Sequence, residues 1–318
     1  MPDRVVEFAA RGKARIAELG DPPELEPDQI LLKTLYTGIT NGTERHALLF
    51  EHGFGGGHYP SRHGYQQVGE VTAIGHAVTR FAIGDRAYLG DYVGHRSWNV
   101  AAEDGLLIKL PDDVESAHGA LFGVAGVALR SVRRMGVRQG HNVWVVGQGP
   151  IGQFTVQAAR TAGARVTVTD LIDQRLQVAA RCGAHRTLNA GSSAVWSQLE
   201  DGGPYDFIFD CCSVRSLLTD VHEHRLLARG GTVGMTAVRD TVTYPWSLLH
   251  QTEARIETSC HFDADDLRVL LFLHQQGSVD IEPVISDVVP IGRAQETYER
   301  LAHHGDQFLG VVFDWRDQ

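Results

Sequence analysis

Three glycines and one acidic residue have the spacing of a phosphate-binding turn. Gly147, Gly149 and Gly152 form a G-x-G-x-x-G pattern, and Asp170 follows about 20 residues later. Glycines allow backbone N–H groups to approach a pyrophosphate, and the carboxylate can accept hydrogen bonds from both ribose hydroxyls. These four residues therefore predict a binding site for a dinucleotide.

The sequence around the glycines supports this prediction. A buried strand over residues 142–146 precedes the turn, an amphipathic helix follows it, and Asp170 ends the next strand. The carboxylate would repel a 2′-phosphate, so we expect NAD rather than NADP, although Arg175 could reduce that preference. A nucleotide-free doubly wound sheet is the alternative. The predicted cofactor-binding residues are Gly147, Gly149, Pro150, Ile151, Gly152, Asp170, Arg175, Cys212, Ser213 and Thr236.

Histidines, glycines and aromatic residues are concentrated in one segment of the first half of the chain. Residues 50–64 include His52, His58 and His63. This composition favours a loop that lines a binding pocket over a plain linker. The three imidazoles could alternatively bind a metal ion. However, no carboxylate pattern supports them, and ordering a glycine-rich loop costs conformational entropy.

The elements that must position these residues follow two patterns. Up to residue 116, short alternating strands such as 30–36 and 69–74 are separated by Gly- and Asp-rich turns, which predicts a β-rich domain. From 117 to 288, strands alternate with helices, which predicts a parallel sheet covered on both faces. Residues 289–318 contain one helix and a last strand that could return to the first domain. The expected fold class is α/β.

Charge and hydropathy restrict the class of function. The 318 residues include 29 Lys and Arg against 39 Asp and Glu, and this net charge of −10 argues against nucleic acid and anionic membranes as partners. No apolar run approaches the roughly 20 residues of a membrane span. The N-terminus lacks the basic start and apolar core of a signal peptide. We therefore expect a cytoplasmic protein that acts on a small molecule.

Short motifs spread over the chain point to one family. They are Tyr36-Thr-Gly-Ile, Gly42-Thr-Glu, Gly64-Tyr-Gln-Gln-Val-Gly-Glu-Val, Gly123-Val-Ala-Gly-Val-Ala-Leu-Arg, the glycine turn and Gln295-Glu-Thr-Tyr-Glu-Arg-Leu. Together they resemble the medium-chain dehydrogenase/reductase superfamily, the zinc alcohol dehydrogenase-like proteins. The resemblance implies a GroES-like catalytic domain over 1–116, a Rossmann domain over 117–288, and a C-terminal return over 289–318. It also implies an active site in the cleft between the domains and a homodimer through the nucleotide domains.

The chain departs from this family where the catalytic zinc is usually bound. The positions that match the zinc ligands are Asn41, Tyr65 and Gly123, with Thr40 as the other candidate for the first. An amide, a phenol, a hydroxyl and a hydrogen atom are poor replacements for thiolate, imidazole and carboxylate. No cysteine precedes Cys182, so the four-cysteine lobe for structural zinc is missing too. We expect no zinc, and the motifs look most like the bacteriochlorophyllide dehydrogenase-like branch.

Without zinc, side chains must handle the hydroxyl proton during hydride transfer. Tyr65, at a ligand position, could donate a hydrogen bond to a carbonyl, or it could simply fill the space of the ion. Thr43 and His46 match the family's hydroxyl–imidazole proton relay, although His46 could be a surface residue. Glu44 could orient Tyr65 or bind a substrate hydroxyl. The predicted catalytic residues are Tyr65, Thr43, His46 and Glu44, and the predicted substrate-binding residues are Asn41, His58, His63 and Gln66.

These residues lead to one preferred function and two alternatives. The preferred function is a zinc-independent oxidoreductase that transfers a hydride between NAD(H) and a secondary alcohol or ketone. The substrate would be a polyol, a cyclitol, a sugar derivative or a natural-product intermediate. The first alternative is an NAD(P)H-dependent C=C or quinone reductase, against which Asp170 argues. The second is a nucleotide-binding protein without turnover.

Overall fold

The computed structural model describes residues 3–50 and 58–317. The chain divides into two compact units, which are described separately. The first comprises residues 1–123, 263–268 and 285–318, and the second comprises residues 124–262 and 269–284. No helix in the described part of the chain is long and apolar enough to cross a membrane.

The secondary structure alternates between strands and helices after a strand-rich beginning. The strands are β1 (Asp3–Ala10), β2 (Lys13–Gly20), β3 (Gln29–Gly38), β4 (Gln67–Ile74), β5 (Arg86–Leu89), β6 (Trp98–Ala102), β7 (Leu107–Leu110), β8 (Asn142–Val146), β9 (Arg165–Asp170), β10 (Arg186–Asn189), β11 (Tyr205–Asp210), β12 (Leu227–Met235), β13 (Arg255–Thr258), β14 (Ile285–Pro290) and β15 (Gly310–Asp314). The helices are α1 (Asn41–Leu49), α2 (Ser116–Gly119), α3 (Phe122–Met135), α4 (Pro150–Thr161), α5 (Asp173–Arg181), α6 (Val195–Gly202), α7 (Leu217–Glu223), α8 (Trp246–Thr252), α9 (Ala264–Gln275) and α10 (Ala294–His303). Short 3₁₀ turns lie at Glu282–Val284, Ile291–Arg293 and Gly305–Gln307.

The first unit is built on strands that are mostly antiparallel. Its larger sheet has the order β14-β15-β3-β4-β5-β7, with β6 also paired to β3, and β1 pairs with β2. Side chains of β3 alternate between buried and half-buried positions, as expected for a strand with one face on the core. The last strand, β15, is antiparallel to β3 and parallel to β14. The C-terminal segment is therefore part of the first unit.

A hydrophobic cluster fixes α1 and α10 in this unit. The buried residues of α10 recur at the spacing of one helix face, and they include Tyr298 and Leu301. They pack in one cluster with Leu48 of α1 and with Phe313 and Trp315 at the C-terminus. The two helices and the end of the chain thus share one core, which determines where the polar side chains of α1 lie.

The second unit is a doubly wound parallel sheet. Its strand order is β10-β9-β8-β11-β12-β13, and every pairing is parallel. The order reverses beside β8, because β9 lies on one side of it and β11 on the other. Ligands of such sheets bind outside the carboxyl ends of the strands at this reversal. The predicted α/β class, a β-rich domain with a Rossmann-type sheet, is confirmed.

Candidate functional site

The glycine turn lies between β8 and α4, and its three glycines meet different surroundings. Gly147 has a φ of +86°, and a Cβ there would lie 2.5 Å from Cys212 Cβ. A Cβ at Gly152 would lie 1.9 Å from the Gly147 carbonyl oxygen. At Gly149 a Cβ would meet no atom within 4 Å. The first and third glycines are therefore required by the fold itself, whereas Gly149 leaves open space at the start of α4, where a phosphate could approach.

Asp170 ends β9 and is tied to the glycine turn. Its Oδ2 accepts a hydrogen bond from the Gln148 backbone N–H at 2.6 Å, and its Oδ1 accepts one from Ile172 N–H at 2.9 Å. The carboxylate is thus held in one orientation beside the turn. Arg175 lies half-buried on α5, and its carbonyl oxygen accepts a hydrogen bond from Gln153 Nε2 of α4 at 2.9 Å.

The remaining predicted cofactor-binding residues follow β11 and β12. Asp210, fully buried at the end of β11, accepts hydrogen bonds from the backbone N–H groups of Cys212 (3.1 Å) and Ser213 (2.8 Å). Its backbone carbonyl accepts one from Thr236 N–H at 3.1 Å. Arg239 Nη2 lies 2.8 Å from Asp210 Oδ2. The structure therefore brings the predicted residues to the carboxyl ends of adjacent parallel strands.

Asp210 and Arg239 were not among the predicted site residues. Asp210 had a local signal, because it ends a buried apolar run just as Asp170 does. Arg239 had none, because its partner lies on a different strand end and only the sheet brings the two together. The buried ion pair holds the loop that carries Cys212 and Ser213.

The polar residues predicted around the substrate lie in the first unit, beginning with Asn41. This residue opens α1, and its Nδ2 donates a hydrogen bond to the Leu309 carbonyl at 2.6 Å. Among the described residues, its Oδ1 is buried and has no hydrogen-bond partner. A buried acceptor without a donor costs free energy, so this oxygen is suited to accept a hydrogen bond from a bound ligand.

Tyr65 is a buried phenol that faces other polar groups. Burial raises its pKa above the usual value, although the Thr40 side chain hydrogen-bonds it. The Tyr92 ring centre lies 5.1 Å from the ring centre of Tyr65. Because the phenol stays protonated at neutral pH, it can donate a hydrogen bond but cannot act as a base. Nearby, Gln66 Nε2 donates to the Gly38 carbonyl and to Thr40 Oγ1, both at 3.2 Å.

The residues at the positions of the family's zinc ligands do not fit that metal. Asn41 uses its amide nitrogen on a carbonyl, and Tyr65 is a neutral phenol. A Cβ at Gly123 would lie 2.7 Å from Tyr65 Cε2 and 2.6 Å from Gln66 Cγ, so the neighbouring side chains already occupy the space of a third ligand. In the part of the chain that the structure describes, no three His, Cys, Asp or Glu side chains are grouped so that they could hold a metal ion.

The histidine-rich segment is only partly described. His52 lies outside the described residues, and His58 is exposed. His63 Nε2 is 3.0 Å from Ser61 Oγ, and its ring stacks on Phe8 with 5.1 Å between ring centres. Burial lowers the pKa of His63, so the ring is neutral at pH 7. His63 is thus packed against the core of the first unit, while His58 faces solvent.

Glu44, expected to orient Tyr65 or to bind a substrate hydroxyl, has other groups as its direct hydrogen-bond donors. The buried carboxylate instead accepts hydrogen bonds from the Thr40 backbone N–H at 2.7 Å, from Tyr298 and from His95 Nε2 at 3.0 Å. Burial would raise the pKa of Glu44, but His95, Tyr298 and Thr40 together hold it below its ordinary value. Glu44 therefore orients a histidine that the sequence analysis did not single out.

His95 lies between β5 and β6 and is buried. Its Nδ1 is 2.7 Å from Thr37 Oγ1, which also accepts a hydrogen bond from Trp315 Nε1 at 3.0 Å. Only a lone histidine in a short Gly-rich segment marked this position in the sequence. Its partners come from segments distant in the chain, so no local pattern could have identified it.

The two residues of the predicted proton relay lie on α1. Thr43 and His46 are both half-buried and are one helical turn apart, so their side chains share one side of the helix. His46 is therefore not a fully exposed surface residue. Asn41 and Glu44 belong to the same helix, which gathers four of the predicted site residues.

Replacing Glu44 with Gln is expected to lower the free energy of unfolding at neutral pH by about 3 kcal/mol, because the buried carboxylate that accepts hydrogen bonds from His95, Tyr298 and Thr40 is removed. In the wild type the pKa of Glu44 is lowered from 4.5, so its stabilising effect is present above pH 4.5 and is lost as the pH falls through the lower folded value. The Glu44→Gln variant should not lose stability in this way. Urea unfolding at several pH values between neutral and acidic measures the free energy of unfolding of each protein. Glu299→Gln, which changes an exposed carboxylate, is the control. If the free energy of unfolding depended on pH equally in the wild type and in Glu44→Gln, Glu44 would not be the buried charged carboxylate described above.

Comparisons with known proteins identify several that are similar to this chain. Residues 150–274 match the family model described as zinc-binding dehydrogenase. The chain is 25% identical to sorbitol dehydrogenase 2 of Saccharomyces cerevisiae, over 79% of this chain and 81% of the relative. It is 27% identical to the probable D-xylulose reductase A of Aspergillus clavatus, over 88% of each chain.

Solved structures share the fold over the whole length. The 2R,3R-butanediol dehydrogenase from Bacillus subtilis superposes with a TM-score of 0.86 at 19% identity, covering 99% of this chain and 100% of its own. Galactitol-1-phosphate dehydrogenase from Escherichia coli gives a TM-score of 0.85 at 18% identity, covering 98% and 100%. Residues 150–274 are thus similar to the zinc-binding dehydrogenases, and the whole chain shares its fold with these solved dehydrogenases.

Proposed function

We propose that this protein is an NAD-dependent oxidoreductase that transfers a hydride between NAD(H) and a secondary alcohol or ketone without a catalytic zinc ion. One observation carries the proposal. A buried neutral phenol, Tyr65, packs against Gly123 where the family's zinc ligands would stand, on a chain whose dinucleotide turn is complete. This combination resembles a zinc-lacking branch of the superfamily.

The cofactor would be held by residues of the second unit. The N–H groups at the start of α4, beside Gly149, suit the pyrophosphate, and Asp170 suits the ribose hydroxyls. When bound, the nicotinamide supplies or accepts the hydride. A carboxylate at the end of β9 favours NAD over NADP, because a 2′-phosphate would be repelled.

Residues of the first unit would handle the substrate oxygen and its proton. Tyr65, kept protonated by burial, donates a hydrogen bond to the substrate oxygen. The unpartnered Asn41 Oδ1 accepts a hydrogen bond from a substrate hydroxyl. Thr43 and His46, one turn apart on α1, pass the proton towards solvent.

The polar character of these groups favours a hydroxyl-rich substrate. The amides of Asn41 and Gln66 and the ring of His63 would each match a hydroxyl group. The relatives whose names include sorbitol, D-xylulose and butanediol are consistent with a polyol or a vicinal diol. A sugar derivative, a cyclitol or a natural-product intermediate has the same chemistry.

The proposal is tested by measuring NADH formation from NAD with secondary alcohols, polyols and cyclitols in the presence of a strong chelator. Turnover that resists the chelator, with protein-bound zinc far below one ion per chain, is the expected result. Turnover that depends on stoichiometric zinc would contradict zinc independence. Tight NAD binding without any turnover would favour a C=C or quinone reductase or a non-catalytic binder. An NADPH-dependent enone reduction assay separates these two.

Replacing Asp170 with Ala is expected to weaken NAD binding about 10-fold to 100-fold, because hydrogen bonds between charged carboxylate and ribose hydroxyls are lost. NADP binding should change much less, so the preference for NAD should narrow. Isothermal titration with both dinucleotides measures the ratio. Asp173→Ala, which removes an exposed carboxylate at the start of α5, is the control and should leave the ratio unchanged. A ratio unchanged in Asp170→Ala would rule out the ribose assignment.

A further inference from the structure

Five separate parts of the first unit meet at one buried pair of side chains, Glu44 and His95. Thr37 from the end of β3 and Phe313 of β15 contact it on the imidazole side, with 2.7 Å from Thr37 Oγ1 to His95 Nδ1 and 5.5 Å between the ring centres of Phe313 and His95. Tyr298 of α10 contacts it on the carboxylate side. The side chains of Glu44 and His95 are 2% and 1% exposed, and Glu44 Oε2 lies 3.0 Å from His95 Nε2. The pair is therefore shielded from water on both sides.

The environment of the pair explains why Glu44 is charged. An isolated carboxylate in such a site would be neutral, because burial penalises the anion. The titratable groups that face the pair are Tyr298 of α10 and, from the segment before β4, His63 and Tyr65. Both tyrosines are neutral, and burial keeps His63 neutral as well. The interaction and the hydrogen bond with His95 are thus the largest effects that offset the burial of the Glu44 carboxylate.

Thr40 connects this pair to Tyr65. The backbone N–H of Thr40 donates to Glu44 Oε1 at 2.7 Å, and the Thr40 side chain hydrogen-bonds the Tyr65 phenol. Gln66 Nε2 donates a hydrogen bond to the same Thr40 hydroxyl at 3.2 Å. Thr40 also directly precedes α1, so its position sets where Asn41 begins the helix.

We propose that His95 is a positioning residue of the oxidoreductase site. By pairing with Glu44 it keeps that carboxylate charged, and the charged carboxylate holds Thr40, which in turn fixes the hydroxyl of Tyr65. This inference rests on the proposed function, in which Tyr65 contacts the substrate oxygen. His95 itself touches neither substrate nor cofactor.

A charge-neutral side chain at position 95 should change how Glu44 titrates. In His95→Gln the amide can still donate a hydrogen bond, but the electrostatic interaction that most strongly lowers the pKa of Glu44 is lost, so burial should raise that pKa above its ordinary value. A carboxyl whose pKa is raised in the folded state stabilises the fold at low pH and loses this effect as the pH rises. In the wild type the contribution of Glu44 to stability changes with pH in the opposite direction, because its pKa is lowered there.

The experiment compares four proteins: the wild type, His95→Gln, the double variant His95→Gln/Glu44→Gln, and the control His224→Gln. The control removes a histidine–carboxylate contact of similar length, 2.7 Å to Glu200, on the surface of the second unit. Three quantities are measured from pH 5 to pH 8. They are the thermal midpoint of unfolding, and kcat and KM with the best alcohol found for the wild type.

The expected result is specific to His95→Gln. Between pH 5 and pH 8 the thermal midpoint of His95→Gln should fall by about 3 °C or more, measured against that of the double variant over the same range. Its kcat should be at least about 10-fold below that of the wild type, with KM for NAD unchanged. Its kcat should also decrease towards low pH, as Glu44 takes up a proton, and the double variant should lack this pH dependence. His224→Gln should behave as the wild type.

The outcomes separate this inference from the proposed function. If the wild type turns over an alcohol and His95→Gln keeps its kcat and pH profile, the inference is wrong and the proposed function stands. Parallel thermal curves for His95→Gln and the double variant would also overturn it, because Glu44 would not depend on His95 for its charge. If the wild type turns over none of the alcohols, the proposed function fails. The thermal curves then still decide whether His95 controls Glu44.

Discussion

Replacing Tyr65 with Phe is expected to lower kcat/KM for the alcohol by about 10²-fold to 10³-fold, which is the usual effect of removing a group that donates to the reacting oxygen. The phenyl ring keeps the packing against Gly123 and Gln66, so the fold should be retained. Binding of NAD should not change, because the residues proposed to bind it lie in the second unit. Steady-state kinetics with chelator present and a separate NAD titration measure the two effects.

The control for this substitution is Tyr92→Phe. Tyr92 is 69% exposed, and its ring neighbours that of Tyr65 at 5.1 Å. Loss of its hydroxyl should change kcat/KM by less than about 3-fold, which corresponds to a surface effect below 1 kcal/mol. If Tyr65→Phe retained most of the wild-type activity, the phenol would only fill space. The proton would then have to be handled by Thr43 and His46.

Replacing Gly149 with Val is expected to raise the Kd for NAD at least about 10-fold without destabilising the protein. A Cβ at this position meets no protein atom within 4 Å, and the backbone φ of −67° suits any residue. The branched side chain would, however, occupy the space through which a pyrophosphate approaches the start of α4. Titration with NAD and the thermal midpoint of the free protein measure the two effects separately.

Gly152→Ala provides the matched comparison. Its Cβ would lie 1.9 Å from the Gly147 carbonyl oxygen, so the backbone must shift, at a cost of about 1–3 kcal/mol in the free energy of unfolding. We therefore expect a lower thermal midpoint for Gly152→Ala and an unchanged one for Gly149→Val. An unchanged NAD affinity in Gly149→Val would place the pyrophosphate elsewhere.

The strands of the second unit were predictable because their signal is local. Residues 142–146, 165–170 and 205–210 are short runs rich in β-branched or aromatic residues, most of them buried, and they form β8, β9 and β11 with these bounds. The short strands β10 and β13 have no such run, and β13 has no fully buried residue. They become strands because an adjacent strand offers hydrogen bonds, which no window of sequence contains.

The candidate site likewise has residues that a local sequence signal predicts and residues that only the packed structure brings together. The glycine turn and Asp170 could be recognised because the bends and the close approach that they require depend on residue type within a short stretch. The expectation that Asn41 and Tyr65 stand in place of zinc ligands also comes from the chain alone, since ligand chemistry depends on residue type, and the chelator assay tests it.

Tertiary structure alone decided which polar groups are partners. Glu44 was expected to orient Tyr65 directly, but it accepts hydrogen bonds from His95 and from Tyr298, which comes from the C-terminal part of the chain. Asn41 is oriented by the Leu309 carbonyl, which is equally distant in sequence. A buried polar atom must find a partner wherever the packed backbone brings one. That choice depends on how helices and strands pack around a shared core, so residue spacing alone does not determine it.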